Sequence, residues 1–208
     1  MTDRLPDGYF DDVYADSADP WGMAERWYEQ RKYSITMSML PDQRYRHAFE
    51  PGCSIGMLTE RLLERCDHVT SYDVAQAALD TTRGRLGDRG DLTLVRSSLD
   101  AAWPGEDVDL VLISEVAYYL SEATLRRVLD RECARLATGT TVVAAHWRHP
   151  VEDYPLTGDR ANAVIGETAD LTTMARYLDE DVVVEVFRKG ATESVAVGTG
   201  VPGAVRRG

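Results

Sequence analysis

Cysteine and basic residues are scarce in this sequence, and a long apolar run is absent. Cys53, Cys66 and Cys133 are irregularly spaced, which excludes a disulfide framework and the paired spacing of a zinc site. The 23 Lys and Arg residues face 35 Asp and Glu residues. The net charge of −12 disfavours a nucleic-acid partner, because phosphate backbones are held by basic side chains. No apolar run reaches the roughly 18 residues that a membrane helix requires, and the N-terminus has no basic segment followed by an apolar one. We therefore expect a cytoplasmic protein with reduced thiols that binds neither nucleic acid nor membrane.

The chain length and the apolar content indicate one folded domain. Its 208 residues are 44% apolar and 28% charged, which is ordinary for a globular domain. We expect this domain to span residues 1–189, with residues 1–41 as a helical cap and residues 190–208 as a flexible tail. Within the cap, residues 7–16 and 21–40 are predicted to be helices that are separated at Asp19-Pro20.

Beyond the cap, strand-like and helix-like segments alternate. Strands are predicted at residues 46–50, 68–73, 92–97, 107–115 and 139–147, and helices at residues 56–66, 75–87 and 121–136. This alternation predicts a mostly parallel sheet with helices on both faces. Residues 171–178 and 182–189 are β-rich and only three residues apart, which is too short for a parallel crossover. We therefore expect them to form an antiparallel hairpin.

The segment FEPGCSIG at residues 49–56 is predicted to end the first strand and to enter a helix through a glycine turn. Ligands of open parallel sheets bind at the carboxyl ends of the strands, where Gly52 and Gly56 let the backbone approach a ligand. The G-x-x-x-G spacing differs from the G-x-G-x-x-G of dinucleotide sites. Asp73, which ends the second predicted strand, can accept from two ribose hydroxyls, a feature that dinucleotides and S-adenosylmethionine share. Glu50 would repel a pyrophosphate but suits a ligand with an ammonium and a sulfonium, as S-adenosylmethionine has.

Several stretches resemble a known family. FEPGCSIG, SYDVA, SSLD and LVLISEVAYYL resemble, in order and spacing, the motifs of class I S-adenosylmethionine-dependent methyltransferases. DPWGMAERWYEQRKY, SEVAYYL and HWRHPVEDYPLTGD are similar, more narrowly, to NodS-like methyltransferases, whose namesake N-methylates an amino group of a chitooligosaccharide. The resemblance covers residues 9–188 and implies a Rossmann-like α/β fold with a seven-stranded sheet in the order 3-2-1-4-5-7-6. It also implies S-adenosylmethionine as cofactor.

The resemblance also assigns cofactor-binding roles. It places Leu99 against adenine, and it has Asp100 accept a hydrogen bond from the adenine amine. Arg31 is expected to bind the methionine carboxylate through its guanidinium fork, with Trp21 as a wall. The middle position of the glycine motif is Ser54 here, as in the NodS-like form. The full expected cofactor set is Trp21, Arg31, Glu50, Gly52, Cys53, Ser54, Gly56, Asp73, Val74, Leu99, Asp100 and Ser114.

The expected acceptor end follows the fourth and fifth strands. Glu115 is expected to hydrogen-bond an acceptor amine, to take its proton or simply to cap the next helix, and His146 is a second candidate base. Tyr118, Tyr119 and Tyr154 are expected to line the acceptor pocket. No metal is expected, because no acidic pair has ligand spacing with a histidine. The favoured reaction is N-methylation of a small polar acceptor such as an amino sugar. O- or C-methylation of another metabolite and cofactor binding without catalysis remain open, as does the oligomeric state.

Overall fold

The structure is a computed structural model that describes residues 3–105 and 107–205. The predicted cap and tail reach residues 1–2 and 206–208, which lie outside the described residues. Seven strands lie within the described ranges: β1 (Tyr45–Pro51), β2 (Cys66–Asp73), β3 (Leu92–Arg96), β4 (Leu110–Ser114), β5 (Thr141–Trp147), β6 (Leu171–Leu178) and β7 (Val182–Lys189). The helices described there are α1 (Asp7–Asp16), α2 (Trp27–Ser38), α3 (Met57–Leu63), α4 (Gln76–Leu86), α5 (Glu122–Arg135), α6 (Gly158–Gly166) and α7 (Val195–Gly198).

The strands form one sheet, whose order among the described residues is β3-β2-β1-β4-β5-β7-β6. β1 to β5 run parallel, and β7 is antiparallel to both β5 and β6. The predicted Rossmann-like α/β fold, its strand order and its closing hairpin are therefore confirmed. The chain order reverses between β1 and β4, and this reversal leaves a crevice at the carboxyl ends of these strands.

The central strands are covered on both faces. In β4, Leu110 and Leu112 pack into the core shared with α1 to α4, whereas Val111 and Ile113 pack into the core shared with α5 and α6. A strand buried on both sides requires a nearly continuous apolar sequence, which is the pattern of residues 107–115. The helices α1 and α2 thereby lie on the same face of the sheet as α3 and α4.

The second cap helix is shorter than predicted, because α2 begins at Trp27 and not at residue 21. Gly22 has a φ of +67°, which a right-handed helix cannot contain. The Asp19 carboxylate accepts hydrogen bonds from the backbone N–H groups of Met23 and Ala24, and it thereby holds a turn instead of a helix. Residues 21–26 therefore form a turn that reaches toward the crevice.

The helix α6 (Gly158–Gly166) was not predicted from the sequence, although a capping residue marks its start. Thr157 caps it by accepting a hydrogen bond from the N–H of Arg160. At Gly158 an added Cβ would lie 2.0 Å from the carbonyl oxygen of Trp147, so only glycine allows this approach to β5. In the expected tail, α7 forms a single helical turn. Among the described residues, no helix is both long and apolar enough to cross a bilayer.

Candidate cofactor and acceptor site

A cavity of about 680 Å³ lies at the carboxyl ends of β1, β2 and β4, where the strand order reverses. Its volume is within the usual range for small-molecule sites. Most of the residues expected from the sequence line it: Trp21, Glu50, Gly52, Cys53, Ser54, Asp73, Val74, Leu99, Asp100, Ser114, Glu115, Tyr118, Tyr119 and Tyr154. Arg31, Gly56 and His146 are not among the lining residues.

The glycine turn after β1 is held in place by the neighbouring strand β2. Gly52 has a φ of +78°, and its N–H donates to the carbonyl of Tyr72 at 2.7 Å. Ser54 also adopts a left-handed conformation, with a φ of +51°, and its N–H donates to the Asp73 carboxylate at 2.8 Å. The hydroxyls of Ser54 and Tyr14 hydrogen-bond each other at 2.5 Å, which ties the turn to α1. The turn is thereby positioned from both sides of the cavity.

Gly56 shapes this turn without facing the cavity. It precedes α3 with a φ of +79°, and an added Cβ would lie 2.8 Å from a side-chain carbon of Thr82 in α4. The Thr82 hydroxyl donates to the carbonyl of Ser54 at 2.8 Å. Glycine is therefore required at residue 56 by close packing between α3 and α4.

Asp73 presents a buried carboxylate that suits a ribose. One oxygen accepts from the N–H of Ser54 and the other from the N–H of Ala75 at 3.0 Å. Each carboxylate oxygen has two lone pairs, so each retains one for a ligand hydroxyl. Burial raises the pKa of Asp73 to about 6. The carboxylate therefore fits a pair of neighbouring hydroxyls and also holds the backbone just before α4.

Glu50 is a fully buried acid without a basic partner among the described residues. It accepts hydrogen bonds from the hydroxyls of Thr59 at 2.6 Å and Ser71 at 2.8 Å. Burial raises the pKa of Glu50 to about 7. A desolvated carboxylate that lines a cavity and lacks a protein cation suits a cationic ligand group. Together with Asp73, it gives this end of the cavity a set of acceptors that fits the ribose hydroxyls and the ammonium of S-adenosylmethionine.

The expected adenine end contains an arginine that sequence reasoning missed. Leu99 is buried in the cavity wall, and its carbonyl accepts from the indole N–H of Trp103 at 2.9 Å. Asp100 accepts from the Ser98 hydroxyl and lies 3.6 Å from Nε of Arg4. Arg4 comes from the segment before α1, so that segment lines this end of the cavity.

Arg31 lies outside the cavity and joins α2 to the β6–β7 hairpin. Its Nη1 is 2.7 Å from the Asp179 carboxylate, and its Nη2 donates to the Tyr177 hydroxyl at 2.5 Å. The structure therefore does not bring Arg31 to the place where it was expected to bind the methionine carboxylate. The basic residues that line the cavity within the described part of the chain are Arg4, Arg26 and Lys32.

Glu115 lies directly after β4 in a strained backbone conformation, and its carboxylate accepts several hydrogen bonds. Its φ of +55° is unusual for a residue other than glycine, and such strain is concentrated at functional sites. Its Oε2 accepts from the Tyr118 hydroxyl at 2.6 Å and from the N–H of Trp147 at 2.9 Å. Burial raises the pKa of Glu115, but Lys32 outweighs this effect, and the resulting pKa is lower than usual. Glu115 is therefore an ionised hydrogen-bond acceptor.

Lys32 forms the centre of a buried charge cluster. Its Nζ lies 2.7 Å from the Glu115 carboxylate and 2.9 Å from the Glu29 carboxylate, and its side chain is 3% exposed. Nζ also lies over the rings of Tyr28 and Tyr33, at 5.2 and 5.5 Å from their centroids. Burial lowers the pKa of Lys32, but the two carboxylates raise it above its usual value. Sequence reasoning assigned Lys32 no role. The available signal was its spacing of three residues from Glu29 on a helix of the cap.

His146 lies beneath the cavity floor. Its side chain is fully buried, and its Nε2 accepts from the N–H of Ala117 at 3.2 Å. The proton is therefore on Nδ1, which donates to the Asn162 side-chain oxygen at 2.6 Å. Burial lowers the pKa of His146. Both ring nitrogens are engaged in hydrogen bonds beneath the turn that follows Glu115. A role as a base stays a prediction.

Three tyrosines form an aromatic wall beside Glu115. The rings of Tyr118 and Tyr154 stack with a centroid distance of 5.0 Å, and Tyr119 meets Tyr154 edge-on at 4.8 Å. Tyr154 belongs to the loop after β5, whereas Tyr118 and Tyr119 lie in the 3-10 turn Ala117–Tyr119.

Within residues 3–105 and 107–205, no group of three His, Cys, Asp or Glu side chains could hold a metal ion.

Comparison with known proteins identifies one family. The family model for Nodulation protein S (NodS) matches residues 11–151. Nodulation protein S of Rhizobium tropici is 30% identical over 127 residues, which is 60% of this chain and 53% of that protein. The chain thus spans about half the length of this curated relative.

Solved structures share the fold. A structure described as a putative methyltransferase from Pseudomonas syringae is 33% identical, covers 78% of this chain and 99% of that chain, and has a TM-score of 0.66. The N-methyltransferase NodS of Bradyrhizobium japonicum WM9, crystallised with S-adenosylhomocysteine, is 22% identical. It covers 88% of this chain and 97% of that chain, with a TM-score of 0.77.

Proposed function

Because the chain belongs to the Nodulation protein S (NodS) family, we propose that it is an S-adenosylmethionine-dependent N-methyltransferase. The observation that carries this proposal is the arrangement of acidic groups along one cavity. Asp73 and Glu50 line the cavity where a ribose and a cationic group can bind, and Glu115 lines it among tyrosines. S-adenosylhomocysteine in the NodS structure from Bradyrhizobium japonicum supports the same cofactor for this chain.

The acceptor that we propose is the amine of a small polar molecule, such as an amino sugar. An amine nitrogen can donate a hydrogen bond to the ionised Glu115 carboxylate, and the tyrosine wall offers aromatic surface beside it. The acidic character of the cavity and the net charge of −12 favour a basic ligand over an acidic one. The same charge argues against a nucleic-acid acceptor.

The chain's own residues contribute mainly binding and orientation. S-adenosylmethionine supplies, when bound, a methyl group on a positively charged sulfur. Tyr118 and the N–H of Trp147 fix Oε2 of Glu115, so the carboxylate cannot rotate, and Oε1 retains a lone pair for an acceptor N–H. Because the pKa of Glu115 is lowered, we assign it to orienting the amine and not to taking its proton. The tyrosine wall excludes water from the acceptor nitrogen.

The experiment is incubation of the purified protein with S-adenosylmethionine and a panel of amino sugars and other small amines. Each product is analysed by mass spectrometry with fragmentation, which locates the added methyl group. Methylation on nitrogen supports the proposal, and Glu115→Gln should lower turnover while it preserves binding of S-adenosylhomocysteine. Methylation on oxygen or carbon would instead identify a different methyltransferase. Binding of the cofactor without any product across the panel would favour a non-catalytic binding protein.

A further inference from the structure

The buried cluster of Lys32, Glu29 and Glu115 has a net charge that the proposed function leaves unexplained. One ammonium lies between two carboxylates, at 2.7 and 2.9 Å, and the three side chains line the same end of the cavity. Two negative charges and one positive charge leave a net charge of −1 at this end. A fold that needed only to attract a basic acceptor would not require a buried lysine beside the carboxylate that meets it.

The acidic groups of the β6–β7 hairpin that face the cluster have partners of their own. On the β6–β7 hairpin, Asp179 pairs with Arg31, and Asp181 lies 2.8 Å from His149. His146, which faces the cluster from β5, is buried, and its pKa is lowered. The uncharged hydroxyls nearest to the cluster are those of the tyrosines of α2 and of the 3-10 turn, Tyr28, Tyr33 and Tyr118. Glu50 and Arg61, which lie near Tyr33 without an ion-pair partner among the described residues, carry opposite charges. Within the cluster itself, Lys32 and its two carboxylates set the net charge of −1.

The net charge of −1 in the cluster balances a total charge of +1 on the cofactor sulfonium and an uncharged acceptor amine. An uncharged amine that takes the methyl group gains the positive charge that sulfur loses, so the total stays at one. An acceptor that entered as an ammonium would bring the total to two, and it would have no lone pair with which to react. A like charge within a few ångströms disfavours the protonated form of an amine. Lys32 supplies such a charge beside the acceptor position.

Resting on the proposed function, we propose that Lys32 is a positioning residue that selects the uncharged form of the acceptor amine. It keeps Glu115 ionised through their ion pair and offsets part of the attraction of that carboxylate for cations. The acceptor class that follows is an amine of low basicity, which is largely uncharged near neutral pH. A strongly basic alkyl amine, with a pKa near that of lysine at about 10.4, fits this site less well.

The test measures how strongly this end of the cavity attracts positive charge. S-adenosylmethionine has a sulfonium at the position of transfer, whereas S-adenosylhomocysteine has a neutral sulfur. The ratio of their dissociation constants, measured by calorimetry, therefore reports the local electrostatic potential. The variants are Lys32→Met, which removes the charge, and Lys32→Gln, which removes it but keeps a hydrogen-bond donor for Glu115. Lys32→Arg keeps the charge.

Arg61→Met is the matched control, because Arg61 also lies over the Tyr33 ring, at 5.7 Å, but does not line the cavity. We expect Lys32→Met and Lys32→Gln to change the ratio of the two dissociation constants by about tenfold in favour of S-adenosylmethionine binding. A tenfold change corresponds to the free energy of a shift of about one pKa unit. Lys32→Arg and Arg61→Met should leave the ratio within about twofold of wild type, and Glu115→Gln should shift it in the opposite direction. Circular dichroism checks that each variant is folded.

An unchanged ratio in folded Lys32→Gln would overturn the inference, as would an equal shift in Arg61→Met. Failure of the wild-type protein to bind either compound would instead refute the proposed function, so the two failures are distinguishable. If Lys32→Met does not fold, Lys32→Gln provides the same comparison with the donor retained.

Discussion

Glu50→Gln should stabilise the protein without ligand at high pH while it weakens cofactor binding. The Glu50 carboxyl is buried, accepts only two hydroxyl hydrogen bonds, and has no basic partner among the described residues. Burial raises its pKa from 4.5 to about 7. The glutamine side chain has the same shape, and it carries no charge that must be buried.

The magnitude follows from linkage between protonation and folding. A carboxyl whose pKa is raised in the folded state stabilises the fold below its unfolded pKa, and this contribution is lost as the pH rises through the folded pKa. A shift from 4.5 to about 7 costs wild type about 3 kcal/mol at about pH 8, but only about 1.4 kcal/mol at about pH 5.5. The advantage of Glu50→Gln in the free energy of unfolding should therefore grow by about 2 kcal/mol between these pH values.

The assay is urea unfolding of both proteins at several pH values, with and without S-adenosylhomocysteine. Glu60→Gln removes the same charge from an exposed position on α3 and is the control for net charge. Saturating ligand should stabilise wild type more than Glu50→Gln, because Glu50 is expected to bind the ligand's ammonium. A stability difference that is constant from about pH 5.5 to about pH 8 would refute the reasoning.

Three further predictions concern other parts of the site. Asp73→Ala should abolish binding of S-adenosylhomocysteine in calorimetry, since the carboxylate expected to accept the two ribose hydroxyls is removed. Gly56→Ala should lower the free energy of unfolding by about 1–3 kcal/mol, because a Cβ at a φ of +79° would contact Thr82; a neutral result in urea unfolding would contradict this packing. His146→Leu should lower thermal stability by leaving the Ala117 N–H without its acceptor. A reduction in its turnover that does not vary with pH would support positioning, whereas a loss confined to low pH would favour a base.

Local sequence patterns were sufficient for most of the fold. The alternation of apolar strands with amphipathic helices predicted the parallel strands, and the three-residue spacing between residues 178 and 182 predicted the hairpin, which is confirmed. The strand order came from the family resemblance. The start of α2 was wrong by six residues, because the turn made by Gly22 and the Asp19 carboxylate overrode a helical pattern. The α6 helix was missed; it begins at Gly158, where the absence of a Cβ lets the backbone fit closely against β5.

Those site residues that lie at the carboxyl ends of strands could be predicted from the sequence. Asp73, Glu50 and Glu115 each lie at or next to the end of a strand, so the topology alone brings them to one crevice. Lys32 and Arg31 lie on a helix outside the sheet, and their directions depend on how that helix packs. Sequence spacing could not show that the lysine points into the cavity and the arginine away from it.

Calorimetry of the wild-type protein with S-adenosylhomocysteine, S-adenosylmethionine and NAD tests the central claim most directly. That claim is that the crevice accepts a phosphate-free nucleoside with a positive charge, because the buried Glu50 lies where a pyrophosphate would approach. We predict binding heat from both adenosyl compounds and none from NAD. Tight binding of NAD without heat from either adenosyl compound would contradict the account.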